Sequence, residues 1–389
     1  MAMALLDEHL EEVLLRFPPD DPRRLVHAAL VCRQWRRVVS HPAFRRRFLD
    51  LHRAPPPMLG FLCNHGAVPR FVPTSSFRPH PRAPLGCPVI DARHGRVLTH
   101  SVPWRLGGNP LKRPFVVLDP VTGERRALPL LPGLRREQPL FPRSPYLSSW
   151  NAAVLCASTA AGACGHVHCR GGPFLVLFVA TGRLHIRACV YSSEDGAWRR
   201  SKPTIAPRPG YDELALEPCA LVGNALYFVF HCSRRVLEYD LGTWEMSVID
   251  LPSACFFKRV VLMTAEDGGL GLASLFDYNL CLWSRAAAPG LGHAGWAKSR
   301  VIELKNLLPD DVLSASLGLA GIADGIRVIF LRTDDGLFTI DLKSYHVTKV
   351  CKGGWYNSIF PYMSLCTPAL GADSSAEGPR ASSSSASQT

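Results

Sequence analysis

The stretch RVLEYDLGTWEMSVIDL, Arg235–Leu251, decides the fold. It reads as an apolar strand ending in an aspartate, a tight turn and a second strand. Two other segments repeat it: PFVVLDPVTGERRALPL (114–130) and GLFTIDLKSYHVTKV (336–350). The shared aspartates are Asp119, Asp240 and Asp341. A carboxylate at that place can accept hydrogen bonds from backbone amides two residues on, which suits the start of a turn. Weaker versions stand at CVYSSEDGAWRRS (189–201) and LCLWSRAAAPGLGHAGWAKSRVIEL (280–304). From Glu194 to Asp240 to Trp283 the steps are 46 and 43 residues. That is near the period of a four-stranded propeller blade, about 40–50 residues. Other strands fill the gaps: ALVGNALYFVF (220–230), GGLGLASLF (268–276) and GIRVIFL (325–331). About 300 residues at this period predict about six blades, with a large β-sandwich array as the structural alternative. Residues 54–149 hold 18 of the 33 prolines. Proline is poor in central strands, so that part is expected to be rich in loops and edge strands.

Ahead of the β pattern the period is helical. Leu6, Leu10, Val13, Leu14 and Phe17 recur at helical spacing with acids between them. Asp7 is a plausible N-cap, and Glu8, Glu11 and Glu12 suit a positive helix start. Pro18-Pro19 stops that helix. Asp21-Pro22 starts a second, with the acid as cap and proline at the first helical position. From there Leu25, Ala28, Cys32, Trp35 and Val39 make one apolar stripe. Ser40-His41-Pro42 ends it and can cap the next turn. Phe44, Phe48 and Leu51 form a third short stripe before Pro55-Pro56-Pro57. Three helices in about fifty residues make too small a core to stand without help from a partner or from the domain that follows.

LLDEHLEEVLLRFPP, then LVHAALVCRQWRRVV, then SHPAF resemble an F-box over about residues 5–52. Two departures stand out: Asp7 occupies a place where that family commonly has proline, and Pro19–Leu30 is a few residues longer than in its shortest members. The resemblance implies docking to a Skp-type adaptor, which links such a chain to a cullin–RING ubiquitin ligase of the SCF type. By motif position, Leu6, Leu10, Val13, Leu14, Phe17, Pro18, Leu25, Val31, Cys32 and Trp35 would form the contact face and its supporting core. The C-terminal part resembles the propeller-like associated region of grass F-box proteins, notably in RFVPTSSFRP, VIDARHGRVL, LVGNALYF and RTDDGLFTIDL. That resemblance implies a second domain that recruits a protein substrate. The expected organisation is an F-box at 1–53, an all-β propeller-like domain at 54–370 and a disordered Ser-rich tail at 371–389, an α+β multidomain chain.

Charge is uneven along the 389 residues. Residues 54–149 carry 13 Lys/Arg against 4 Asp/Glu, so +9 of the net +12 sits there. A localised positive field suits an acidic partner. Arg93, Arg96, Arg125 and Arg126 are therefore the expected substrate-binding residues, and an acidic protein surface the expected substrate. Arg33, Arg36, Arg37, Arg45, Arg46 and Arg47 also raise a nucleic-acid reading. A recognition helix needs exposed base-reading polar residues, however, and here Gln34 is the only amide nearby. That reading ranks below ligase adaptor and non-degradative F-box scaffold.

MAMALLDEHLEEV has no basic segment before an apolar run, unlike a secretory signal. The longest apolar run, FLVLFVA at Phe174–Ala180, is strand length, well short of a membrane span. Thirteen scattered cysteines are expected as reduced thiols, which points to cytoplasm or nucleus. GLGHAG (290–295) fits G-x-G-x-x-G in letters only: a strand-like run follows it where a dinucleotide site needs a helix. Cys164, His166, His168 and Cys169 are zinc-type ligands, but they fit within six residues, whereas a tetrahedral site draws on separated pairs. No P-loop, nucleophile elbow or His-Glu-x-x-His appears. No metal, no cofactor and no catalysis by the chain itself are expected.

Overall fold

The computed structural model describes residues 7–52, 56–65, 68–81, 83, 85–101, 113–131, 149–157, 172–182, 185–200, 205–206, 212–231, 234–287, 294–313, 316–353, 356 and 358–364. These fall into two compact units, a helical one ending at Leu51 and a β unit from His52, to which residues 19–21 also belong.

The helical unit has four helices where the sequence suggested three: α1 (Asp7–Leu15), α2 (Pro22–Val31), α3 (Arg33–Ser40) and α4 (Pro42–Leu51). The single stripe from Leu25 to Val39 is broken at Cys32, whose backbone is fully extended at φ −159° and ψ 172°. The break turns α3 back so that Val38 and Val39 enter the core while Cys32 itself stays exposed. Periodicity alone could not reveal this, because an apolar stripe continues in register across a one-residue hinge. Proline opens both α2 and α4, where its missing N–H costs nothing. At the start of α4, the His41 Nδ1 accepts the Ala43 amide at 3.2 Å. Leu10, Leu14, Leu25, Ala28, Val39, Phe44 and Phe48 close the core.

In the β unit the described strands form one three-stranded and five four-stranded antiparallel sheets. The first blade takes β1 (Met58–His65) and β2 (Val68–Pro73). The second takes β3 (Val89–Arg93), β4 (Arg96–His100), β5 (Phe115–Leu118) and β6 (Arg125–Ala127). The third takes β7 (Trp150–Cys156), β8 (Phe174–Thr181), β9 (Ile186–Ser192) and β10 (Ala197–Arg200). The fourth runs β11 (Ala220–Val222), β12 (Ala225–Val229), β13 (Arg235–Asp240) and β14 (Met246–Asp250). The fifth runs β15 (Val260–Thr264), β16 (Leu270–Phe276), β17 (Asn279–Ala287) and β18 (Ala294–Glu303). The sixth runs β19 (Gly318–Ala323), β20 (Val328–Thr333), β21 (Gly336–Asp341) and β22 (Val347–Lys352). The last strand, β23 (Ile359–Met363), pairs antiparallel with β1 and completes the first blade. This is a six-bladed propeller whose first blade joins β23 to β1 and β2.

Six apolar clusters hold the ring, each drawn from two adjacent blades. Strand β8 shows why. Its Phe174, Val176, Phe178 and Ala180 pack toward the second blade, while Leu177 and Val179 pack toward the fourth. A blade strand buried on both faces reads as an unbroken apolar run, which is what FLVLFVA is. Burying one such Val, Leu or Phe contributes about 1.5–3 kcal/mol.

All five repeated segments are the hairpin between a blade's third and fourth strands. In three of them the aspartate Oδ1 accepts two amides. Asp119 takes Val121 and Thr122 at 2.8 and 3.2 Å, Asp240 takes Gly242 and Thr243 at 2.8 Å each, and Asp341 takes Lys343 and Ser344 at 2.7 and 2.9 Å. These amide bonds hold the Asp240 and Asp341 carboxyls below the usual carboxylate range. The fourth residue after each aspartate is left-handed: Gly123 at φ 77°, Trp244 at 62° and Tyr345 at 57°. In the third blade Ser192, not Glu194, holds the aspartate's place, its Oγ accepting the Asp195 amide. Of GLGHAG, Ala294 and Gly295 are strand residues paired with Ala287 and Ala286, so a hairpin and not a helix follows. Leu6, the Cys164–Cys169 cluster and the 371–389 tail lie outside the described residues.

Candidate functional site

Two regions carry the chemistry, one in each unit. In the helical unit the expected contact residues separate into two groups. Leu10, Leu14 and Leu25 are fully buried in its core, and Phe17 and Trp35 pack half-buried against them. Pro18 is half-buried. Val13 is 49% exposed and Val31 64%, with Leu30, which the sequence reading passed over, at 72%. Leu30 and Val31 are the last two residues of α2, just ahead of the extended Cys32.

The basic side chains of this unit are partly engaged within it. Asp7 Oδ1 accepts the Gln34 amide at 2.8 Å and Oδ2 the Arg37 guanidinium at 2.6 Å, tying the start of α1 to α3. These two bonds lower the Asp7 carboxyl. Arg47 pairs with Glu11 at 2.9 Å and Glu12 at 3.1 Å, joining α4 to α1. Two of the arginines that could have met phosphates thus have carboxylate partners already.

In the propeller, the innermost strands surround an axial cavity of about 400 Å³. Polar side chains bind neighbouring blades together beside it. Asn64 of β1 exchanges two bonds with Val89 of β3 at 2.8 and 2.9 Å. Asp91 of β3 accepts the Val154 amide of β7 at 2.9 Å, and Asn151 of β7 donates to the carbonyls of Ala215 and Glu217 before β11. Asp324, just past β19, accepts both the amide and the hydroxyl of Thr264 on β15. Arg93 crosses further. Its Nε donates to Asp91 at 3.1 Å, and its Nη2 donates to the Cys219 carbonyl two blades on. It therefore lies across the axis and lines the cavity.

Burial raises the Asp91 and Asp324 carboxyls. Burial also works against the Arg93 charge, but Asp91 and Cys219 more than offset it, so the proton is held more tightly than usual. The Cys219 thiol is pushed up to about 12, chiefly by burial. It is consequently a poor nucleophile despite the adjacent guanidinium. Among the described residues no group of His, Cys, Asp and Glu is arranged to hold a metal ion.

The four expected substrate-binding arginines do not form one patch. Arg93 is an axial strut. Arg96 is only 4% exposed, its guanidinium over the Phe174 ring and bonded to the Gly172 carbonyl. Arg125 and Arg126 are exposed on the outer strand β6, Arg126 bonding the Ser193 carbonyl at 2.9 Å. Sequence charge pointed to a basic face, but half of this set is used between blades. Conversely, Arg259 and Glu217 line the cavity in a 3.1 Å ion pair and were not singled out, because 42 residues of sequence separate them.

The architecture has matches among known proteins. Similar solved structures include a protein from Lactobacillus plantarum, at 13% identity and TM-score 0.40 over 77% of this chain and 83% of that one. TolB from Acinetobacter baumannii has 12% identity and TM-score 0.39 over 82% and 72%. The WD40 domain of SCAP from fission yeast has 12% identity and TM-score 0.37 over 71% and 53%. A comparison with curated proteins gave no match. The F-box domain profile matches residues 5–47, from α1 into α4. The profile described as "F-box protein AT5G49610-like, beta-propeller" matches residues 88–370, most of the ring. The two profiles together cover most of the chain, which belongs to the AT5G49610-like family of F-box β-propeller proteins.

Proposed function

We propose that this chain is the substrate-recruiting subunit of an SCF-type cullin–RING ubiquitin ligase. Its F-box, residues 1–53, docks a Skp-type adaptor, and its propeller, residues 54–370, holds a protein substrate. The observation that carries this reading is the solvent exposure of Val13, Leu30 and Val31 on a helical unit whose own core is already closed. Each such side chain gains about 1.5–3 kcal/mol if fully buried by a partner. The F-box family supplies the partner's kind, since F-box domains typically bind Skp-type adaptors. The mechanism is proximity: a substrate tethered beside a charged ubiquitin carrier presents its lysines at high effective concentration. The chain itself contributes no chemical step. Such adaptors are generally non-catalytic, and the raised Cys219 thiol is a poor nucleophile.

The test is capture of a purified Skp-type adaptor by the full chain. Val31→Arg and Leu30→Arg change exposed positions, so they leave folding nearly untouched while placing a charge in the proposed interface. Loss of capture with unchanged melting supports the assignment. Capture at the wild-type level by the Leu30→Arg/Val31→Arg double variant overturns it. With capture established, accumulation of a bound protein when the ligase is blocked distinguishes degradation from scaffolding.

A further inference from the structure

The segment CFFK, Cys255–Lys258, lies in the connection from the fourth blade to the fifth. The Lys258 amide donates to the Cys255 carbonyl at 3.0 Å. Phe256 has φ −60° and ψ 133°, and Phe257 has φ 61°. Those are the features of a type II turn, whose third residue is ordinarily glycine because its φ is positive. Here that residue is a phenylalanine, and it is 69% exposed. The bulky side chain strains the backbone while its ring stays in water, so neither effect favours folding. Cations gather round this turn. The half-buried Arg234, just ahead of β13, has its guanidinium over both rings, 5.3 Å from the Phe256 centroid and 4.7 Å from that of Phe257. The exposed Lys258 and Lys298 bring their ammoniums to 6.0 and 5.9 Å from the centroid of Phe276, and Lys298 is 5.2 Å from that of Trp283. Among the described residues neither ammonium has a carboxylate partner. The connections after a blade's second and fourth strands leave the same end of it, which puts Arg234, the turn and Phe276 at one end of the ring. Two exposed carboxylates neighbour these groups in sequence: Asp250, already 3.6 Å from Arg235, and Asp277. A positive excess remains.

We propose that this turn and its cations are a docking site for an acidic protein segment that carries one bulky apolar residue. Phe257 packs on the apolar residue, Lys258 and Lys298 take carboxylates, and Arg234 holds the two phenylalanine rings. The proposal rests on the reading of the propeller as the holder of a protein substrate. It moves the acidic preference from residues 54–149, where sequence charge put it, to the fourth and fifth blades. Complementarity of charge and the exposed aromatic anchor both favour such a segment. A single-stranded nucleic acid suits the surface less well. Bases stack on open rings, and Phe256, Phe257, Phe276 and Trp283 each have a cation over the ring already. A lipid surface calls for a broader apolar patch than the one largely exposed ring of this turn.

Fluorescence anisotropy on the full chain with no adaptor present reads this site independently of adaptor capture, so the two can fail separately. The labelled probes are the peptide Asp-Glu-Asp-Leu-Glu-Asp-Glu, the same peptide centred on phenylalanine or on glycine, and its Asn/Gln counterpart. An oligothymidine and phosphatidylserine vesicles complete the set. The leucine- or phenylalanine-centred acid should bind about tenfold tighter than the glycine-centred and neutral forms, and more weakly as salt is added. Phe257→Gly should weaken that binding about tenfold or more and leave Tm at or above the wild-type value, since glycine suits the turn. Lys258→Gln/Lys298→Gln should weaken it about three- to tenfold. Arg199→Gln, on an exposed arginine of the outer strand β10, should leave it unchanged. Equal affinity for the acidic peptide and its neutral or glycine-centred form, tighter binding of oligothymidine or vesicles, or binding of no peptide would each overturn the proposal. Wild-type binding by Phe257→Gly or by the double lysine variant would do the same. A lowered Tm in Phe257→Gly would assign the ring to the fold and overturn it as well.

Discussion

Replacing Arg93 with methionine tests whether this arginine recognises substrate or holds the ring. The Arg93 side chain is 16% exposed and that of its partner Asp91 3%. Methionine keeps the aliphatic stem but removes the guanidinium, leaving Asp91 with the Val154 amide and no counter-charge. Breaking a buried pair from one side costs about 3–5 kcal/mol, mainly through the uncompensated charge. For a chain of this size that lowers Tm by about 6–10 °C, taking roughly 2 °C per kcal/mol. Asp91→Asn/Arg93→Met should recover much of the loss, because no charge is then left unpaired. The two substitutions should be non-additive by about 1–3 kcal/mol. The pH dependence has a definite sign. Burial already raises the Asp91 carboxyl, and losing Arg93 raises it further. An acid whose folded pKa is raised is most favourable to stability when protonated in both states, and the penalty grows as pH rises above its unfolded value, about 4. The deficit of the single variant should therefore be largest near neutrality and shrink toward pH 4. Thermal melting by circular dichroism across pH 4–8 reads all of this. An Arg93→Met protein that melts like wild type yet loses its bound substrate would refute the strut assignment and restore the recognition role that charge alone suggested.

Leu14→Arg should unfold the helical unit, at a cost of about 3 kcal/mol or more, since Leu14 is fully buried. Limited proteolysis should then separate its effect from that of Val31→Arg, which leaves the unit resistant. Asp240→Asn/Asp341→Asn should flatten the acid limb of the stability profile. Both carboxyls are lowered by backbone amides, so their contribution is complete above the unfolded value and is lost as pH falls through the folded one. Urea denaturation at pH 3 and pH 6 measures the difference. Phe360→Ala in the closing strand should cost about 3–5 kcal/mol, because Phe360 is 3% exposed between the first and second blades. Maleimide should label exposed Cys32 well before Cys63 and Cys219, whose thiols burial pushes up to about 11 and about 12; mass spectrometry of timed samples gives the order.

Much of this architecture was legible because a propeller repeats one local problem. Each outer hairpin must reverse a strand within four residues, and Asp119, Asp240 and Asp341 solve it with the same two amide bonds. The signal faded where another residue does the same work, as Ser192 does. Ring closure carried no such signal. In β23 the segment IFPYM contains Pro361, which argues against a central strand. The innermost strand of a blade is an edge strand, however, with one side free of pairing, and there proline is tolerated. The Cys32 hinge was hidden for the reason already given, that an apolar stripe does not record a break in its own helix. The cavity was invisible for a different reason: its ion pair and its axial strut join residues brought together only by the closed ring.

Charge in the propeller and apolar exposure in the F-box carry different kinds of information. A count of arginines gives the field of a segment but not the position of any guanidinium, and arginine is well suited to crossing between packed sheets because its stem is apolar and its head has five donors. Arg96 over Phe174 and Arg93 across the axis are both of this kind. An apolar side chain has no such second use, since water neither bonds it nor orients it. Leu30 and Val31 remain exposed after Leu25, Ala28 and Ala29 of the same helix have filled the core. With Val13 and Leu51 they make four large apolar side chains exposed on a unit of about fifty residues, where burial is scarce relative to the entropy of folding.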